Sequence, residues 1–175
     1  KVLAKWPDGS ARWLLLDFQV DLAADEKKAF SLRHGDGAKA SAVDDPVAVR
    51  QADGAVTVET GPLRVRFSGS RFAALGEVWL DGDGDGRLAQ AEQVLGPAVW
   101  PELGSGNASP PEEIVVEQSG PMRACVRFAG RHEVGGGKSF GYVARMHVYR
   151  GRPFVKLHYT FINDCPDSLM TKIPE

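Results

Sequence analysis

Cysteine is scarce in this chain, with two, Cys125 and Cys165, among 175 residues. Two thiols set no disulfide framework, and no Cys-x-x-Cys metal spacing is present. The pair can form one bridge, or each can serve as a small buried hydrophobe; both readings stay open. Long apolar runs are also missing. The longest, 13–16, is strand-sized, far from the ~18 residues of a membrane span, so no membrane partner is expected. An excess of charge of either sign is nearly absent: Lys+Arg number 21 against 23 Asp+Glu, a net charge of −2. That balance argues against general nucleic-acid binding. Helical periodicity is lacking too, for no stretch beyond ten residues holds a 3.6-residue repeat. No signal peptide is recognisable. The opening at Lys1 in strand-like text, and the stop at Glu175 without an obvious terminus, lead us to expect a piece of a larger protein.

Twenty glycines and eleven prolines punctuate the chain instead. Between them lie short segments with period-2 alternation or β-branched and aromatic bias: 11–20, 28–33, 55–60, 63–68, 77–80, 113–118, 122–131, 140–149 and 154–162. Turn text separates them, as in Pro7-Asp8-Gly9, Asp53-Gly54, Gly61-Pro62, Gly120-Pro121 and Gly151-Arg152-Pro153. The expected fold is all-β, an antiparallel barrel or sandwich, in a single domain spanning 1–175. It divides into an acidic part, 1–95, a long Gly/Ser/Pro-rich loop, 96–111, and a set of basic strands, 112–162.

The charge is unevenly placed. Residues 1–120 carry 12 basic and 19 acidic side chains, whereas 121–160 carry eight basic and one acidic. Alternate residues of a strand share a face. Arg123, Arg127 and Arg131 therefore lie together opposite Val126 and Phe128. Arg145, His147 and Tyr149 lie opposite Met146 and Val148, and Lys156 and His158 lie opposite Val155, Leu157, Tyr159 and Phe161. Strands paired as a meander would merge these polar faces into one cationic surface. Arg145, His147, Tyr149, Lys156 and His158 are the candidate contacts to an acidic polysaccharide, since Arg pairs bidentately with uronate carboxylates. The same surface reads equally as a solvated face or as the contact with a missing neighbouring domain. His147 and His158, with Tyr149 nearby, also have the chemistry of an acid–base group, although such residues are more often ordinary strand-face side chains.

The sharpest motif is Asp81-Gly-Asp83-Gly-Asp85-Gly86-Arg87-Leu88-Ala89-Gln90-Ala91-Glu92. It fits the twelve-residue calcium loop D-x-D-x-D-G-x-x-x-x-x-E at every required position. Calcium wants six to eight oxygens. The ligands would be the carboxylates of Asp81, Asp83 and Asp85, the carbonyl of Arg87 and the closing Glu92, with a water at Ala89. Gly86 permits the turn, and Leu88 anchors the loop to the core. Four carboxylates in twelve residues repel one another without a cation. The flanks are not those of an EF-hand: 72–80 reads as strand, 88–95 allows at most a short helix, and a paired copy is missing. The expectation is an EF-hand-like loop inserted at a β-turn, with a structural calcium rather than a sensing one. The alternative is a solvated Asp-Gly turn.

Weaker signals remain. Residues 5–13 read as a hairpin in which Trp6 and Trp13 face each other, either as packing or as a sugar-stacking platform. Residues 135–139, GGGKS, lack phosphate-loop spacing and read as a hairpin turn. No serine sits in a G-x-S-x-G elbow.

Two stretches carry a family likeness. Residues 6–19, WPDGSARWLLLDFQ, resemble the opening of exo-rhamnogalacturonan lyase-like proteins at their N-terminal β-barrel domain. Residues 120–132, GPMRACVRFAGRH, and 142–155, YVARMHVYRGRPFV, are similar to later strands of the same domain. The resemblance implies an accessory β-domain of a secreted, pectin-directed lyase-like protein, whose helical toroid carries most of the cleft and is absent here. No catalytic residue of the family maps onto a matched position, so activity of this chain alone is not expected. A stand-alone carbohydrate-binding module and a structural or adhesive extracellular domain are the alternatives.

Overall fold

A computed structural model describes the chain except residues 36, 39–41, 70–75, 97–101, 104–105, 108, 135–136 and 165–175. It divides into two compact units, Lys1–Asp44 and Asp45–Glu175, where the sequence suggests one domain.

The first unit holds one hairpin, β1 (Val2–Lys5) and β2 (Ala11–Leu14). Pro7-Asp8-Gly9 makes the turn: the Asp8 carboxylate accepts from the Ser10 amide and hydroxyl, and Gly9 takes φ +86°. Trp13 pairs with Ala4, so Trp6 does not face Trp13 across the ladder as expected. The Trp6 ring instead carries the Arg12 guanidinium, 4.6 Å from its centroid. The segment 28–33, expected as a strand, has no ladder partner and is irregular.

The second unit is two antiparallel sheets. One has the order β3 (Ala48–Ala52), β4 (Ala55–Glu59), β5 (Leu63–Ser68), β6 (Glu77–Leu80) and β7 (Gln93–Leu95). The other has β10 (Glu113–Ser119), β11 (Arg123–Val134), β12 (Gly137–Tyr149) and β13 (Val155–Ile162), each paired to the next. Between them in sequence lies the small pair β8 (Glu102–Leu103) and β9 (Gly106–Asn107), inside the expected long loop. Both large sheets are open meanders, so of the two expected architectures the sandwich is the one observed.

Alternation explains the packing. In β5, Leu63, Val65 and Phe67 point inward and are buried, while Arg64 and Arg66 point out. β4 contributes Val56 and Val58; β11 contributes Ala124, Val126 and Phe128; β12 contributes Tyr142, Ala144, Met146 and Val148. These side chains form one core between the sheets, with Phe67 and Phe128 meeting edge to face at 5.1 Å. Turns hold the register. Asp53 and Gly54 both take positive φ, 52° and 70°, the conformation of a two-residue hairpin whose twist matches its strands. Gly130 lies opposite Tyr142, and a Cβ there would come within 2.5 Å of the Tyr142 hydroxyl.

Candidate functional site

The acidic segment 81–92 connects β6 to β7, which pair antiparallel. It is therefore an insertion at a sheet turn, as the flanking text suggests, and its only helical piece is a 3-10 turn at Gln90–Glu92. Asx-type bonds shape it. Asp81 accepts from the Gly84 and Gly86 amides at 2.7 and 3.0 Å, Asp83 from the Asp85 amide, and Asp85 from the Arg87 amide. These bonds draw the chain around the three carboxylates, and one oxygen of each of Asp81, Asp83 and Asp85 lies within 4.8 Å of the others. Gly84 and Gly86 take φ +76° and +77°, which the tight curl requires. Glu92 is placed differently from the expected closing ligand. Its two oxygens accept from the Gly82 and Ala89 amides at 2.8 and 2.9 Å. The donor set fits a hard cation: three carboxylates converge, and Glu92 is tied to the loop's own backbone, with Gly82 at its entrance.

The loop is docked on the sheet. Leu88 is half-buried, and its carbonyl accepts from the Arg64 guanidinium at 3.1 Å. Arg64 also donates to Glu59 at 2.7 Å and lies 5.8 Å from the Trp79 ring. Trp79 is thus buried on the outer face of its sheet, with β7 Gln93 as its ladder partner.

The second candidate region is the outer face of the other sheet. Register brings Arg127, Arg145 and His158 into one cross-strand row, Cys125, His147 and Lys156 into the next, and Arg123 with Tyr149 into a third. All five residues expected from sequence, Arg145, His147, Tyr149, Lys156 and His158, lie on this face. It is not uniformly cationic, however, because β10 adds acid to it. Gln118 is the ladder partner of Cys125, and a bulge between Val116 and Gln118 adds Glu117 beside it, within 3.6 Å of the Cys125 thiol. Arg145 holds the Glu117 carboxylate with two bonds, 2.8 and 3.0 Å, and Arg127 donates to Glu113 at 2.7 Å. Arg131 pairs bidentately with Asp164. Glu113 and Glu117 fall within 1–120 in the charge count, outside the cationic block 121–160, so their place on this face does not emerge from it, although 113–118 reads as strand and period 2 puts them on one side of it.

Titration follows this arrangement. The Arg145 hydrogen bond holds Glu117 below the usual carboxylate range. Burial, and then the Glu117 charge, push the Cys125 thiol up to about 11. Cys125 is a free thiol, 3.6 Å from Glu117 and 3.8 Å from His147 Nε2; Cys165 lies outside the described residues. His147 is lowered by burial and then by the charges of Arg123, His158 and Lys156. Its ring meets His158 edge to face at 5.1 Å. A separate buried group was not read from sequence. His132, fully enclosed, shares a short hydrogen bond with the Tyr159 hydroxyl, and burial lowers its pKa.

No curated protein matches the chain. The family model described as the PcRGLX-like protein central beta sandwich domain matches residues 47–171. The matched span contains the motifs at 120–132 and 142–155 but not 6–19, so the similarity is to a central sandwich rather than to the N-terminal barrel suggested by the opening residues. Two open sheets around one core, covering the same span, agree with that description, and the chain belongs to the PcRGLX-like, rhamnogalacturonan lyase-like family through this central β-sandwich domain.

Proposed function

We propose that this chain is a calcium-braced accessory domain of a secreted or extracytoplasmic, carbohydrate-active protein that acts on rhamnogalacturonan-type pectin. In this reading turnover belongs to residues outside the chain, and the domain supplies a rigid scaffold. The observation that supports calcium most directly is the convergence of the Asp81, Asp83 and Asp85 carboxylates, at the spacing a calcium loop requires, on a turn anchored through Leu88 to Arg64. Calcium there would offset the repulsion among those carboxylates and fix the β6–β7 connection.

The sheet face carrying Arg145, His147, Tyr149, Lys156 and His158 is the proposed contact for an acidic polysaccharide. Arg145 already spends its bidentate geometry on Glu117, so the contact falls to His147, Tyr149, Lys156 and His158, with Arg123 beside them. A neighbouring domain is the other proposed partner. It is supported by the first unit, which leaves Leu3, Trp13, Phe18, Phe30 and Leu32 more than half exposed.

Calorimetric titration tests the metal. The full chain, stripped with a chelator, is expected to take up one calcium, and Asp81→Ala or Asp83→Ala to abolish the heat. Equal heats in wild type and variants would overturn the assignment.

A further inference from the structure

The outer face of β10–β13 divides into two halves of different chemistry. Toward β10, Arg127 and Arg145 are neutralised by Glu113 and Glu117. His147, on β12, has Lys156 and His158 of β13 on one side and, from β11 on the other, the charge of Arg123. Lys156 is its ladder partner, and His158 touches its ring. The Nδ1 of His147 is buried with no hydrogen-bond partner among the described residues.

We propose that this corner is a proton-gated oxyanion site: a carboxylate or sulfate binds among Arg123, His147, Lys156 and His158 as the His147 imidazole takes up a proton. The proposal rests on the reading that this face meets an acidic polysaccharide, and adds to it how binding is regulated. The groups that face His147 are Glu117 from β10, Arg123 and Cys125 from β11, Arg145 and Tyr149 from β12, and Lys156 and His158 from β13. Glu117 alone among them is acidic, and Arg145 occupies it. Burial first, and then the charges of Arg123, His158 and Lys156, oppose protonation of His147. An anion placed among these cations cancels their field and favours the imidazolium. By reciprocity, protonation strengthens anion binding by the same factor. A uronate is already ionised at about pH 5.5 and above, so ligand charge does not change across the switch.

The test is equilibrium binding of an oligogalacturonate to the full chain at about pH 5.5 and about pH 8, at fixed ionic strength and fixed calcium. Binding is expected to be about tenfold tighter at the lower pH, the factor that one unit of pKa shift supplies. His147→Gln combined with His158→Gln should bind equally at both. A second arm follows the histidine ring signals by NMR with inorganic sulfate, which should move the titration of His147 upward. If sulfate does so while the oligogalacturonate fails to bind at either pH, the gated site stands and the polysaccharide reading falls. Oligogalacturonate affinity that ignores pH, with histidines that ignore sulfate, overturns the gate and leaves the polysaccharide reading intact. A double variant that keeps the wild-type pH dependence overturns the gate as well, and silence in both arms removes both.

Discussion

The guanidinium of Arg64 donates to the backbone carbonyl of Leu88 across 3.1 Å, joining the start of β5 to the acidic loop 24 residues later. The same side chain holds Glu59 at 2.7 Å and lies beside Trp79. One outward-facing residue thus fixes the loop's position on the sheet, and does so in a partly buried setting where a charge-assisted bond is stronger than at an open surface.

Arg64→Ala is therefore expected to lower stability by about 1.5–3 kcal/mol, the typical cost of losing hydrogen bonds to a charged group, and to weaken calcium uptake by the loop. Urea unfolding combined with calcium titration checks both. A variant with wild-type stability and wild-type calcium affinity would show that the anchor contributes nothing.

Packing makes a prediction at Gly130. A methyl group there would lie 2.5–2.9 Å from the hydroxyl and ring of Tyr142, itself fully buried. Gly130→Ala should cost about 1–3 kcal/mol, as overpacking does. Pairing it with Tyr142→Leu should restore part of the loss, and double-mutant analysis of unfolding midpoints reads the coupling.

Acid should weaken the fold before its carboxylates titrate. His132 and His147 both have lowered pKa values, each chiefly through burial. A group with a depressed folded pKa stays neutral in the native state, while the unfolded chain binds its proton below about pH 6.5. The unfolded state then binds more protons, so stability is full above that pH and declines as pH falls toward the folded values. Unfolding midpoints measured from about pH 7.5 to about pH 5 should fall accordingly, and His132→Gln should flatten the slope. A flat wild-type profile would contradict the burial argument.

Much of this architecture was legible in the sequence where alternation is strict. The strands at 63–68 and 77–80 lie where period 2 puts them, and β11, β12 and β13 pair as a meander with Arg145 and His147 on one face, because charged residues recur there at even spacing opposite the apolar core positions. β3 was missed: Ala48, Arg50 and Ala52 give little contrast with Val49, and the strand is fixed by its Asp53-Gly54 turn and by Val49 packing on the core. The segment 28–33 shows the reverse failure, since Phe30 and Leu32 alternate but find no neighbouring strand. The calcium-loop spacing could be read directly, but the turn of Glu92 toward Gly82 and Ala89 could not, because it depends on loop backbone geometry. Glu117 escaped for a different reason: its charge was counted apart from the basic strands, while its partner Arg145 lies 28 residues on, across the sheet.

Cys125 should be inert while the protein is folded. It is buried, and its thiol is pushed up to about 11, so little thiolate exists at neutral pH. In a Cys165→Ser background, iodoacetamide labelling should be slow under native conditions and rapid in denaturant. Fast native labelling would mean that the outer face opens at β10.

The most direct measurement is the thermal unfolding of the full chain with calcium and with a chelator, repeated on Asp81→Ala. If the loop at 81–92 binds the ion only when folded, calcium should raise the wild-type melting temperature in proportion to the logarithm of its concentration, as mass action requires. The variant should melt at one temperature in both conditions. Wild-type protein that melts identically with millimolar calcium and with chelator would contradict the account.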